Sequence, residues 1–268
     1  MIVERDEALL LLRELWRRTR AGAGGVVAVH GTAGAGRTAL LQHAVSLAAA
    51  DHAVVLTAGG CLAERHAPAG LLRQLFEAAG QRLPAEGEPG AQVPAGARAA
   101  CWRALREFAG DRPVLVALDD LHHGDAESLR HLMYWARRVH TGAVLLVYTA
   151  MPRPADAFRW FDDEVRRLAC CHQLRPRPLS TDGVAAMLAG CPGGADPGRA
   201  AGYHEATGGI PALVHALLAD HREAAVTGTP SERCAESRCS SSAARTCMPR
   251  RAPGSIASRA ACRAAGCR

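Results

Sequence analysis

A glycine-rich segment is the first part of this sequence whose residue types and spacing indicate chemistry. Gly31-Thr32-Ala33-Gly34-Ala35-Gly36-Arg37-Thr38 follows the phosphate-binding pattern G-x-x-x-x-G-K-S/T, with arginine in place of lysine. Glycines let such a loop turn tightly and lay backbone N–H groups against phosphate oxygens. The apolar run at 26–29 predicts a strand before the loop, and residues 39–48 predict a helix after it, whose positive end favours anions. We predict that the phosphates of ATP or ADP are bound by Gly31, Gly34, Gly36, Arg37, Thr38 and Ala39.

Two adjacent carboxylates follow a second apolar run, at 114–118. A buried strand that ends in acids places them at the carboxyl edge of a parallel sheet, where ligands of α/β proteins bind. We expect Thr38 and Asp119 to hold Mg²⁺ and Asp120 to act as the catalytic base that orients an attacking water. The alternatives are a ligand-free glycine turn and two solvated turn acids.

The composition limits the cellular setting and the partners. All 32 basic residues are arginine, and the last 38 residues, with eight Arg and two Glu, account for the whole net charge of +6. The preceding 230 residues are therefore balanced, which argues against sequence-specific DNA binding by this chain. The charged N-terminus and the lack of an 18-residue apolar run exclude a signal peptide and a membrane span, so we expect a cytoplasmic protein.

Strands and helices alternate over the first two thirds of the sequence. Strands are predicted at 26–30, 53–57, 114–118, 143–148 and 172–175, and the first helix at 4–20. This order predicts an α/β fold, a P-loop NTPase with a parallel sheet covered by helices on both faces. Only helical patterns follow, with Ser180 as one cap and Pro211 as the start of the last helix, which indicates a small helical subdomain.

Three regions follow from this pattern: an NTPase domain at 1–178, the helical subdomain at 179–228 and a tail at 229–268. Past Ser231 the sequence has one Ile and no Leu, Val or aromatic residue, so it lacks the apolar area to offset its ordering entropy. We predict that the tail is disordered, with the composition of a GC-rich gene read out of frame.

Several segments together resemble the large ATP-binding LuxR-type transcriptional regulators, in the STAND branch of the AAA-like ATPases. The segment at 119–129, DDLHHGDAESL, is similar to the family's D-D-L-H-W-A-D-x-x-S-L. The N-terminal VERDE resembles V-G-R-E-x-E, with Glu4 in place of Gly, and TGGIP at 207–211 resembles T-G-G-N-P. The resemblance implies that Val3 lies near the adenine and that Pro211 approaches the base.

The resemblance also implies a function and shows departures from the family. It implies an ATP-binding switch whose nucleotide state sets the orientation of the two domains and self-association. Arg37 replaces the phosphate-binding lysine, so we expect slow or no ATP hydrolysis, and the family pattern stops near residue 228, before a DNA-binding module. The alternatives are a degenerate, nucleotide-free protein-interaction remnant and an AAA-like ATPase of unrelated signalling role.

Overall fold

The fold is built on five parallel strands. The computed structural model describes residues 2–84, 96–151, 157–191 and 196–227, so the predicted tail lies outside the described residues. The strands are β1 (Gly25–His30), β2 (Val54–Gly59), β3 (Val114–Asp119), β4 (Val144–Ala150) and β5 (Cys171–Leu174). They form one sheet in the order β2-β3-β4-β1-β5, in which every described pairing is parallel. This confirms the predicted parallel α/β fold.

Helices pack on both faces of this sheet. The first six are α1 (Asp6–Arg20), α2 (Arg37–Ala50), α3 (Gly70–Ala78), α4 (Ala97–Ala109), α5 (Ala126–Ala136) and α6 (Ala157–Arg166). In β1, Val27 and Val29 pack in a cluster with α1 and α2, whereas Val26 and Ala28 pack in a cluster with α3 to α6. Because side chains alternate along a strand, an entirely apolar strand is what a sheet covered on both faces requires.

A third hydrophobic cluster joins the helices that follow the sheet. These are α7 (Thr181–Ala189), α8 (Ala200–Thr207) and α9 (Pro211–Thr227). Leu179, Val184, Tyr203 and Val214 are among the buried side chains of this cluster. By its internal contacts the chain divides into one compact unit that extends to Asp220 and a second that begins at His221. In the second unit the structure describes only the final turns of α9.

The first helix begins later than the sequence pattern predicted. The prediction placed its start at residue 4, but α1 begins at Asp6. Glu4 has a φ of 53°, in the left-handed region, and a right-handed helix cannot include such a residue. In the described residues, we found no helix that is long and apolar enough to cross a bilayer.

Candidate nucleotide-binding site

The glycine-rich loop connects β1 directly to α2. Gly34 and Gly36 have φ values of 78° and 93°, which side chains larger than hydrogen rarely adopt, and Gly36 is the N-cap of α2. A glycine cap has no side chain to bond the first N–H groups of the helix. These groups and the positive end of the helix dipole are therefore available to an anion. Arg37 and Thr38 begin the helix at this point.

The two acids lie beside the start of α2. Thr38 Oγ1 donates a hydrogen bond to Asp119 Oδ2 at 3.0 Å, so the two predicted Mg²⁺ ligands are adjacent. Arg37 Nη2 lies 3.0 Å from Asp120 Oδ1. The loop, the helix start and the end of β3 therefore meet at one edge of the sheet, as the sequence predicted.

Thr149, which the sequence reasoning did not select, positions both acids. It lies at the end of β4, between β1 and β3, and its side chain is fully buried. Thr149 Oγ1 donates to Asp119 Oδ1 at 2.5 Å and accepts the backbone N–H of Asp120 at 2.8 Å. The signal in the sequence was a threonine next to a tyrosine at the carboxyl end of an otherwise apolar strand.

A cavity of about 300 Å³ opens next to the loop. Of the predicted nucleotide-binding residues, all except Gly31 line it, namely Val3, Gly34, Gly36, Arg37, Thr38, Ala39 and Pro211. Leu179, Met187 and His215 line it as well. The cavity thus has the glycine-rich loop at one side and mostly apolar side chains from the N-terminal segment and the helices at the other.

Arg5 connects the loop to the start of the helical region. Its guanidinium is buried, and Nη2 donates to the carbonyl oxygens of Arg177 at 2.6 Å and Ala35 at 3.4 Å. Burial lowers the pKa of Arg5, an effect that Glu4 partly offsets. On the same side of the cavity, the N–H of Ala212 in α9 donates to the carbonyl of Gly34 at 3.2 Å. The loop is therefore bonded directly to Ala212 and, through Arg5, to Arg177.

A buried polar group lies under the loop. His30 Nε2 is 2.8 Å from Asp162 Oδ1, Tyr148 donates to the same oxygen at 2.7 Å, and Arg166 pairs with the other oxygen. Burial acts to raise the pKa of Asp162, but the bonds from His30 and Tyr148 outweigh it and the pKa is lowered. Burial, followed by the charge of Asp162, raises the pKa of Tyr148. His30 is thus a core residue that supports the start of the loop.

No group of three or more His, Cys, Asp or Glu side chains placed to hold a metal occurs among the described residues. His122 and His123 stack on each other with ring centres 4.0 Å apart, in the short turn after Asp120. Thr38 and Asp119 remain the two predicted protein ligands of Mg²⁺, and a Mg²⁺ bound by them would take its other ligands from water and phosphate oxygens. That arrangement is usual for Mg²⁺ bound with a nucleotide.

Comparison with known proteins identifies a family and a fold. A family model described as an AAA ATPase domain matches residues 2–147. An uncharacterised protein of Rhizobium meliloti (strain 1021) is 28% identical over 221 residues, which cover 68% of this chain and 21% of that protein. This chain therefore spans about a fifth of the length of that relative.

Two solved structures from Aeropyrum pernix share the fold. The ORC2 protein, in ADPNP–ADP complexes, superposes with a TM-score of 0.58 at 19% identity, over 91% of this chain and 70% of its own. The ORC1 protein, in complex with DNA, superposes with a TM-score of 0.57 at 18% identity, over 85% of this chain and 62% of its own. At these identities the likeness concerns the fold.

Proposed function

This chain belongs to the AAA ATPase domain family, and we propose that it binds ATP or ADP with Mg²⁺ as the regulatory switch domain of a LuxR-type transcriptional regulator. The observation that carries the proposal is the cavity between the glycine loop and residues 179–215. Its loop side offers N–H groups and cations to phosphates, and Leu179, Met187 and Val3 offer an apolar surface to a base.

The residues present fit a magnesium nucleotide. Arg37 Nη1 is buried and has no hydrogen-bond partner among the described residues, so a phosphate oxygen would satisfy it. The oxygens of Thr38 and Asp119 are of the kind that Mg²⁺ prefers. When bound, Mg²⁺ neutralises phosphate charge, and the chain itself supplies the donors that orient the nucleotide.

A switch role is supported by the bonds between the loop and the helices. The Ala212 N–H donates to the Gly34 carbonyl, and Arg5 bonds both the loop and Arg177. A ligand that changes the loop therefore changes the energy of the contacts that hold residues 179–228, which we propose as a helical subdomain packed on an NTPase domain at 1–178. A change of this kind shifts populations between arrangements and so regulates self-association.

We propose that hydrolysis is slow or absent. Asp120, the candidate base, is paired with Arg37 at 3.0 Å, so its carboxylate is already bonded to a side chain and not to an attacking water. The same pair favours a second candidate function, because it neutralises the site internally: a nucleotide-free domain that acts only through protein contacts.

Nucleotide binding separates the two functions. We would measure the melting temperature and the heat of titration with Mg²⁺·ADP and Mg²⁺·ATP at millimolar concentrations, with and without EDTA. Ligands that bind only the native state stabilise it by about 2.7 kcal/mol at a hundredfold excess over Kd. We expect a Mg²⁺-dependent rise in melting temperature, and its complete absence for both nucleotides would favour the nucleotide-free function.

Matched variants assign the binding to the site. Thr38→Ala removes the hydroxyl next to Asp119, so it should abolish the Mg²⁺-dependent part of the stabilisation. Ser46→Ala removes a hydroxyl elsewhere on α2. Among the described residues this hydroxyl bonds only to the Gln42 carbonyl of its own helix, so the change should leave binding unchanged. An equal effect of the two changes would place the nucleotide elsewhere.

A further inference from the structure

The arginine of the loop forms an ion pair across the site. Arg37 Nη2 lies 3.0 Å from Asp120 Oδ1, with the side chain of Arg37 9% exposed and that of Asp120 42% exposed. Asp120 has a left-handed backbone with φ of 45°, and its N–H is held by Thr149. The carboxylate is therefore fixed from its own backbone, and the guanidinium reaches it from α2.

Arginine makes this contact possible in a way that lysine does not. At this loop position lysine is a compact charge that reaches the β- and γ-phosphates. The guanidinium of Arg37 is a wide planar fork with several donors on separate nitrogens. Here Nη2 is used by Asp120 and Nη1 is buried with no hydrogen-bond partner among the described residues. Nη2 is thus bonded inside the protein, whereas Nη1 has an unused donor at the wall of the cavity, which Arg37 lines.

The bond between Arg37 Nη2 and Asp120 affects how many phosphates the site can bind. A third phosphate adds negative charge in the region that the loop cation serves, and Asp120 already carries negative charge there. To bind that phosphate fully, the guanidinium must leave Asp120, whose carboxylate then lies next to Asp119 and the phosphate without its arginine partner. His122, whose Nδ1 is 3.8 Å from Asp120 Oδ1, stays beside it. A nucleoside diphosphate lacks this third phosphate, so its binding should leave the Arg37–Asp120 ion pair intact.

We propose that the Arg37–Asp120 ion pair makes this site selective for nucleoside diphosphates over triphosphates. This inference rests on the proposed nucleotide-binding function. The pair is a specificity determinant, and it also keeps Asp120 occupied while a diphosphate is bound. Binding of a triphosphate breaks the Arg37–Asp120 ion pair and releases Asp120. The contacts at the end of β3 therefore differ between the diphosphate-bound and the triphosphate-bound protein.

Calorimetric titration of the chain with Mg²⁺·ADP and with Mg²⁺·AMPPNP, a triphosphate analogue that resists hydrolysis, tests the proposal. The wild-type protein should bind the diphosphate about tenfold more tightly, which is within the usual range of coupling between two binding events. Asp120→Asn keeps the shape and removes the charge, so it should strengthen binding of the triphosphate analogue about tenfold relative to binding of the diphosphate. Arg37→Lys should likewise reduce the preference for the diphosphate, measured as the ratio of the Kd of Mg²⁺·AMPPNP to the Kd of Mg²⁺·ADP.

Asp163→Asn is the matched control, because Asp163 is also an exposed aspartate that faces an arginine, Arg159, at 3.8 Å on α6. It should leave both affinities unchanged. The proposal is overturned if the ratio of the two Kd values in Asp120→Asn stays within twofold of the wild-type ratio. It is also overturned if the wild-type protein prefers the triphosphate. If neither nucleotide binds to any of the four proteins, the proposed function itself fails. Binding with unaltered ratios overturns only this inference.

Discussion

The carboxylate of Glu4 accepts hydrogen bonds from Ser180, through the backbone N–H at 2.8 Å and through the side-chain hydroxyl. Ser180 is the N-cap of α7, so this bond joins the N-terminal segment to the first helix after the sheet. Glu4 adopts a left-handed backbone at the position where the resembled family has glycine. Its side chain therefore contributes a contact that glycine could not make, and this offsets the strain of its backbone.

Glu4→Gln should weaken this connection in a pH-dependent way. The hydrogen bonds from the side chain and backbone of Ser180 lower the pKa of Glu4. A lowered pKa stabilises the folded state above the pKa of the unfolded carboxyl, and this stabilisation disappears as the pH falls through the folded value. We expect the variant to lose less than about 1 kcal/mol at pH 7, since Glu4 is exposed, and to approach wild type below about pH 4.

Urea denaturation at a series of pH values measures this difference. Glu107→Gln is the control, because Glu107 is exposed and forms no ion pair with any described residue. A difference between Glu4→Gln and wild type that is constant with pH would show that the carboxylate charge does not stabilise the contact.

Gly34→Ala should destabilise the protein more than Gly36→Ala. Both residues have positive φ, which costs alanine about 1 kcal/mol. A Cβ at Gly34 would also lie 2.8 Å from the Ala212 Cβ, whereas at Gly36 nothing lies within 4 Å of it. Overpacking adds about 1–3 kcal/mol, so denaturant midpoints should separate the two variants. Equal midpoints would contradict the close contact between the loop and α9.

Asp162→Asn should strongly destabilise the fold. Asp162 is 5% exposed, and its charge is balanced by Arg166 and bonded by His30 and Tyr148. Removing one partner of a buried ion pair costs about 3–5 kcal/mol. Asp163→Asn, at the neighbouring exposed position, should cost less than about 1 kcal/mol. Thermal unfolding of both variants tests this, and similar melting temperatures would show that the buried group contributes little.

The sequence predicted the parts of the site that are local in the chain. The loop, the acids after β3 and the cap at Ser180 are short patterns, in which neighbouring residues determine the backbone. The alternation of strands and helices then predicted a parallel sheet. The order of the strands was not predictable in this way, because Val26 of β1 pairs with Leu146 of β4 from a distant part of the chain.

The missed residues act through contacts between distant segments. Arg5 fell inside the helix predicted at 4–20, but it precedes α1, is buried and bonds to the carbonyls of Arg177 and Ala35. The Arg37–Asp120 pair joins residues that only the completed sheet brings together. Sequence patterns give no distance between such residues, so the sequence identified Arg37 and Asp120 as candidate site residues but did not predict that they pair.

Asp125→Ala should destabilise two helices at once. Asp125 is the N-cap of α5, and its carboxylate accepts the Ser128 N–H at 2.9 Å. The same carboxylate also accepts the N–H groups of Ala69 at 2.9 Å and Leu71 at 3.3 Å, at the start of α3. Losing these bonds in a buried place should cost about 2–4 kcal/mol.

Asp196→Ala is the control for this change, because Asp196 is an exposed cap whose carboxylate accepts only the Gly198 N–H among the described residues. It should cost about 0.5–1 kcal/mol in a denaturant titration. A result for Asp125→Ala no larger than for this control would show that its bonds to α3 contribute little stability.

The position of Asp125 also has a consequence for the order of folding. Helix α3 has nine residues, which is too short to persist alone in water, and the acceptor for its first N–H groups lies 54–56 residues further along the chain. The start of α3 therefore forms only after α5 has reached the sheet. The two helices should open in a single event, so their amide protons should exchange with solvent at matching rates, as one cooperative folding unit.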